Sequence, residues 1–422
     1  MNQPGICNRA EHLLSRRTVL GGLVGGAAGL LGVPGGARTA SGEGAAKRAK
    51  RLLLLVHQGG LSQLESWDPK PGSPFAGPCQ LISTSVPGIQ VSEWLPHTSK
   101  QMHHLLLVRS LSTNENNHGP GHYLMMSGRR EGAALVYPTL DCVANKFLTP
   151  DQHPVPGFVS VGCPGSAAFL GPRYAPVNLE PGKPPSNLEL PGSVSAESDR
   201  RRSELMRKFN GRFQLKRGSA DTAAYAYSFD QAVQLVQNKK LFDLADEPKG
   251  DSERYGTHEF GQKCLLARRL LEKGVTCVTV GHGGYDTHAE NFNVHLDLLE
   301  QFDRPFAALI EDLAARGLLA ETLVVALGEF GRTPNINHRF GRDHWSHTWS
   351  IAIAGGGFPA GAVYGATNAQ GSEVADKKVE AAPLFHTFCK ALGIDATGHY
   401  IVEGDEVPIG DPAAAPIADL LA

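Results

Sequence analysis

The sequence predicts an α/β fold: a large, mainly parallel sheet sandwiched by helices. Three observations predict it. Short continuous apolar runs recur along the chain, as strands buried on both faces require. Stretches with apolar residues at helical spacing lie between some of them. Three of the runs lead into clusters of glycine and polar residues, the position where open α/β sheets collect ligands, and a fourth cluster stands just before a run.

The first run is Arg51-Leu52-Leu53-Leu54-Leu55-Val56-His57, broken by Gly59-Gly60. Similar runs cover His104 to Ser110, Phe158 to Gly162, Val275 to Val280, Leu323 to Leu327 and Ile351 to Ala354. Phe260, Cys264, Ala267 and Leu271 share one helical face; Leu299, Phe302, Phe306, Leu309 and Leu313 share another. Pro305 is expected to kink that second helix or to mark a start within it. The Pro- and Gly-rich stretch from Gly171 to Gly192 reads as a long surface loop, the main part of an excursion over residues 171–197. Arg200-Arg201-Arg202 then opens a charged helix, most simply a solvated face. No repeat and no sharp boundary divides residues 47–422, which read as one domain with excursions.

The 422 residues carry a formal net charge of -2 and 41% hydrophobic content, values of an ordinary globular protein. That balance gives no electrostatic case for nucleic acid as a partner. The six cysteines after Cys7 stand singly, without a CxxC pair, so a structural zinc–thiolate site is not expected and buried free thiols are.

Residues 1–46 read as a signal and linker. A polar stretch ends in Ser15-Arg16-Arg17-Thr18-Val19-Leu20; a glycine-diluted apolar run follows to Val33, then small residues to Ala46. This is the layout of a secretory signal, with Arg16-Arg17 matching the twin-arginine pattern. The run of about 14 residues falls short of the ~20 that span a bilayer, so no stable membrane span is expected. The expected location is outside the cytoplasm, periplasmic or extracellular.

Four clusters could carry chemistry. Gly281-His282-Gly283-Gly284-Tyr285-Asp286-Thr287-His288 offers a carboxylate and an imidazole two residues apart on a loosened loop, ligand types that zinc or manganese accepts. Gly328-Glu329-Phe330-Gly331-Arg332-Thr333 adds Glu329 as a third ligand and Arg332 as an anion clamp. Gly341-Arg342-Asp343-His344 adds His344 just before a strand. The fourth, Asn114 to Arg130 with Asn117, His118, His122 and Arg129, leads into an apolar helix whose N-terminus suits an anion. Against these stand plainer readings: surface loop residues, and a capped helix start with hydrogen-bonded histidines.

In combination, these stretches resemble the exported domain-of-unknown-function 1501 family, related to the alkaline phosphatase and sulfatase superfamily. The resemblance also rests on Gly59-Gly60-Leu61-Ser62 to Trp67-Asp68-Pro69-Lys70 and on Tyr255-Gly256 to Arg268-Arg269-Leu270. It implies an alkaline-phosphatase/sulfatase-like fold with divalent metals at the strand ends and hydrolysis of phosphate or sulfate esters. Asp286 and His288 resemble one Asp/His ligand pair, and His344 resembles the late histidine ligand. Ala382 to Ile394 resembles a C-terminal helix common in sulfatases. Three departures stand out. The first strand ends in His57 rather than in a metal-binding Asp, and Glu329-Phe330 replaces Asp-His. Counting ten residues back from Gly128, the usual nucleophile position falls on His118.

The expectation is therefore an exported metal-dependent hydrolase acting on a small-molecule or glycan ester. Asp286, His288, Glu329 and His344 would hold a zinc, manganese or calcium ion. His118 would act as nucleophile or general acid/base, Arg332 would meet the anionic charge, and Asn117, His122 and Arg129 would bind substrate. The alternative is a non-catalytic exported binding protein that retains the fold.

Overall fold

In the computed structural model the structure describes residues 48–132, 135–180, 190, 192–216 and 220–421. The twin-arginine type segment lies outside the described residues. Eight strands form the main sheet: β1 (Arg51–His57), β2 (Leu105–Leu111), β3 (Phe158–Val161), β4 (Val177–Leu179), β5 (Cys277–His282), β6 (Thr322–Leu327), β7 (Trp349–Gly355) and β8 (Ala362–Tyr364). Their order is β8-β2-β7-β6-β1-β5-β3-β4. All run in one direction except β7, which is antiparallel to both neighbours. The mainly parallel α/β sandwich expected from the apolar runs is the fold observed.

Alternation along β1 explains why its run is unbroken. Leu52, Leu54 and Val56 enter one core with Leu106 and Val108, whereas Leu53 and Leu55 enter the other with Leu105 and Leu107. A strand with a helix layer on each face has no side for a polar residue. The first core is closed by α1 (His118–Ser127), α2 (Leu140–Leu148) and the later helix Ala381–Ala391. Outside the sheet, α3 (Ala196–Lys216) pairs with α4 (Ala220–Gln237). The short α5 (Lys249–Tyr255) leads to α6 (Glu259–Glu272) and α7 (Asn291–Ala315), which close the second core. The six described cysteines are buried and free.

Two local expectations change. Pro305 neither starts nor ends a helix: α7 begins at Asn291 and runs through it. The buried stripe of Leu299, Phe302, Phe306, Leu309 and Leu313 holds the turns on both sides of the proline against the core, which offsets one lost backbone bond. The stretch from Gly171 is not all loop either, since Val177–Leu179 adds to β3 as the edge strand β4, with Leu179 buried.

The parallel strands set the site. β1, β2, β5 and β6 all end at one edge of the sheet, and the reversed β7 begins there. The residues after the first four and the residues before β7 are thus delivered to one rim.

Just under that rim lies an aromatic box holding three buried histidines. His57 and His282 end neighbouring strands in register, and His295 comes from α7. Tyr285 Oη pairs with His282 Nδ1 at 2.9 Å, and Phe302 packs edge-on to His57 at 4.7 Å. Burial pushes the His57 pKa down to about 3 and His295 down to about 4, and holds His282 well below its usual range. The unfolded chain therefore takes up protons near pH 6.5 that the fold refuses. Their stabilising effect is complete above that pH and is lost as pH falls toward the folded values. Urea unfolding at pH 7 and pH 5 should show a loss of about 2 kcal/mol per histidine, above the range where most carboxylates titrate. Equal stability at the two pH values would contradict this burial.

Candidate metal centre

Each part of the rim arrives by a specific local device. After β1, Gly59 (φ +107°) and Gly60 (φ +85°) turn the chain sharply, and a Cβ on Gly59 would sit 2.4 Å from the Asp286 nitrogen. Only glycine lets these loops touch. After β5, Asp286 and His288 follow the turn fixed by Tyr285. The loop before β7 pairs His344–Trp345 with Gly331–Arg332, and Gly341 packs so closely on the His288 backbone that a Cβ would lie 2.1 Å away. After β2, the chain passes Asn116 and starts α1 at His118.

Three imidazoles converge on Asp286. His118 Nε2 lies 3.2 Å from Oδ2; His288 Nε2 and His344 Nε2 lie 3.1 and 3.0 Å from Oδ1. His118, Asp286 and His344 offer ligand atoms all within 4.8 Å of one another. His288 joins from one side, its Nε2 3.0 Å from His344 Nε2.

Proton bookkeeping on the far side of each ring decides what these atoms are. His344 Nδ1 donates to the Asn116 carbonyl at 2.5 Å, an acceptor that carries no proton of its own. His118 Nδ1 donates to Glu329 Oε1 at 2.8 Å, the same oxygen that accepts the Gly59 N–H at 2.8 Å. His288 Nδ1 donates to Asp343 Oδ1 at 2.6 Å. All three histidines thus carry hydrogen on Nδ1 and, when neutral, aim an Nε2 lone pair at the centre. Lone pairs facing one another and a carboxylate at about 3 Å repel unless a proton or a cation lies between them. Imidazoles fixed by an outer acceptor on the remote nitrogen are the usual dress of metal-ligating histidine. The donor set of nitrogen and oxygen atoms suits zinc or a similar divalent ion.

The charge pattern agrees. The hydrogen bond with Glu329 raises the His118 pKa against the effect of burial. Burial opposes ionisation of Asp286, yet the hydrogen bond from Arg332 and the polar contact with His344 outweigh it and hold the carboxyl well below the usual range. His118, Asp286 and His288 remain about two-fifths exposed, so the centre opens to solvent on one side.

The structure reassigns several residues. Glu329 was expected among the ligands and His118 opposite them; the structure sets His118 Nε2 beside Asp286 and Glu329 behind the His118 ring. Glu329 is buried, and its Oε1 is taken by His118 and Gly59, which makes it the brace of His118. Arg332 was expected to clamp an anion, but it is fully buried beneath Asp286. Its guanidinium donates to Gly59 O, Gly60 O, Arg342 O and, at 2.6 Å, Asp286 Oδ1. Arg129 was expected to bind substrate, yet it follows the far end of α1, about 15 Å along the helix from His118. There it donates to Pro408 O and Gly410 O and stacks on Tyr137. Asn117 is at the rim, exposed, with its amide on Glu115 Oε1, and His122 lies one turn further along α1. Asp343, the acceptor for His288, was missed although it adjoins His344; an acidic residue beside a candidate ligand was the available signal.

If Asp343 fixes the His288 tautomer, Asp343→Ala should weaken zinc binding about 10–100-fold. Asp343 is half-exposed, so the metal-free protein should keep its unfolding temperature. Calorimetric titration with zinc, beside thermal unfolding of both proteins, checks this; unchanged affinity would remove Asp343 from the centre.

Several solved structures are similar to this chain. The PsFucS1 sulfatase from Pseudoalteromonas sp. is 10% identical, with a TM-score of 0.39 over 83% of this chain and 68% of that one. The lipoteichoic acid synthase LtaP from Listeria monocytogenes is 8% identical, with a TM-score of 0.39 over 87% and 76%. The alkaline phosphatase from the Antarctic bacterium TAB5 is 14% identical, with a TM-score of 0.36 over 82% and 99%. Among curated proteins, nothing matches the sequence. The sequence profile of one family, the protein of unknown function DUF1501, matches residues 49–421, and the chain belongs to that family.

Proposed function

We propose that the protein is an exported metal-dependent hydrolase of phosphate or sulfate esters, with the metal held by His118, Asp286 and His344 and completed by His288. The observation that carries this reading is the convergence of Nε2 lone pairs on one carboxylate, each ring locked by an acceptor behind it. A divalent ion bound there would polarise an ester oxygen or lower the pKa of a bound water.

The residues of the chain supply the rest. His118 stands at the first turn of α1, where Gly119 leaves open space and Pro120 has no N–H to offer. The free amides of His118 and Gly119 and the positive end of the helix suit a tetrahedral anion beside the centre. Arg332 keeps Asp286 ionised and oriented from below, while Asn117 and His122 line the approach. Among the described residues, no Ser, Thr or Cys makes a polar contact with His118 or Asp286, which favours water over a protein group as nucleophile. The N-terminal segment directs the activity outside the cytoplasm.

The test uses protein purified without chelators. Metal analysis should find a divalent ion in near-stoichiometric amount. A panel of 4-nitrophenyl phosphate, bis(4-nitrophenyl) phosphate and 4-nitrophenyl sulfate should show turnover that stops on chelation. His344→Ala should cost more than about 100-fold in metal affinity and in rate together. Metal and phosphate binding without turnover of any ester would instead support the binding-protein reading.

Protons should compete with the metal. The His118 pKa is raised, so its protonated form gains ground already above pH 6.5. Apparent zinc affinity should therefore fall on acidification from pH 8 to pH 6, approaching about tenfold per pH unit once His118 alone is protonated. An affinity flat across that range would argue that His118 is not a ligand.

A further inference from the structure

The charged helix α3 has two faces of different character. Asp199, Ser203, Met206 and Asn210, spaced at three or four residues, are with Gly211 the buried or half-buried positions of the helix, which packs against α4. A second stripe, Leu205, Phe209, Arg212 and Lys216, has the same spacing, faces away from the first and is exposed throughout. It runs for about 18 Å along the helix. Leu205 is 53% exposed, Phe209 55% and the neighbouring Leu215 89%. Of the ten large apolar side chains that are exposed among the described residues, four lie on this helix, within residues 205–215. Single exposed apolar residues are normal on a soluble protein; a cluster in eleven residues is not.

The same stripe is cationic. α3 carries seven Lys and Arg against three acids, and Glu204 is the last acid before the helix ends. Arg201 and Arg202 lie within ion-pair distance of Glu197 and Asp199, and Arg207 of Asp230 on α4. Lys208, Arg212 and Lys216 have no ion pair among the described residues. They flank Leu205 and Phe209 rather than opposing them, so one surface offers both apolar bulk and unneutralised positive charge.

We propose that this outward face of α3 is a docking surface for an anionic lipid bilayer, onto which the protein binds peripherally. Leucine and phenylalanine between lysine and arginine match a bilayer, with its apolar interior under a negatively charged surface. A second copy of the chain would bring the same cations against these and be repelled. A soluble polyanion would satisfy the cations and leave Leu205, Phe209 and Leu215 in water. No helix among the described residues is long and apolar enough to cross a membrane, so the contact is one of surface association. The inference does not rest on the metal centre.

The test is co-sedimentation of the full chain with vesicles of phosphatidylcholine alone or enriched in phosphatidylglycerol. Binding is expected to the anionic vesicles and is expected to fall at high salt. Leu205→Ser/Phe209→Ser and Lys208→Glu/Arg212→Glu should each reduce it about tenfold or more. Neither pair includes a buried or half-buried position of the helix, and unchanged thermal unfolding confirms that both variants are folded. The proposal is overturned if wild type does not prefer anionic vesicles, or if either folded double variant binds as well as wild type. It is also overturned if sedimentation velocity shows self-association that Leu205→Ser/Phe209→Ser abolishes.

Discussion

Arg332 is a full positive charge with no contact to water, and the rim is arranged around keeping it there. An isolated buried ion is expensive, and this one is made tolerable by main-chain carbonyls and by a single carboxylate, Asp286. The carbonyls come from Gly59 and Gly60 after β1 and from Arg342 before β7. One guanidinium thus ties together loops from three parts of the sequence. It also fixes Asp286, which is why three histidines from three different loops can meet the same carboxylate.

That arrangement has an electrostatic consequence. Arg332 neutralises Asp286 from below, and the outer partners impose one tautomer on each of the three imidazoles in its neutral form. The centre therefore presents lone pairs with little net charge. A divalent ion held by such a set keeps most of its own positive charge for an incoming anion, instead of spending it on the protein. The positive end of α1 at His118 adds to the same field. The two carboxylates that would otherwise weaken it, Glu329 and Asp343, stand behind histidines.

The sheet and the residues of the rim were legible in the chain because they depend on local features. Unbroken apolar runs mark strands covered on both faces, and the polar clusters after them mark the edge where parallel strands end. His344 belongs to that edge only because β7 is reversed, so that its beginning meets the ends of the others. Roles were less legible than places. Whether Glu329 reaches the centre or the back of His118 depends on where α1 docks, and no spacing within the sequence encodes that. Arg332 and Arg129 show the same limit: a guanidinium beside a motif reads as an anion clamp, but burial under Asp286 and a stack on Tyr137 employ it elsewhere. The proline in α7 is a related case, since local chemistry allows a helix start there and core packing on both sides carries the helix through it.

Net charge conceals information in a similar way. A value of -2 over 422 residues describes no particular surface, because positive and negative groups cancel wherever they stand. In α3 the cancellation fails locally: after Glu204 the helix has cations and no acids, and of its buried or half-buried side chains only Met206 is apolar. A helix that met only water would gain nothing from Leu205, Phe209 and Leu215 on its outer side, and a helix that met only its neighbour would turn them inward. Their position is intelligible if the outer face has a partner of its own. Solvent exposure, which the run of three arginines first suggested, describes the same face with that partner removed.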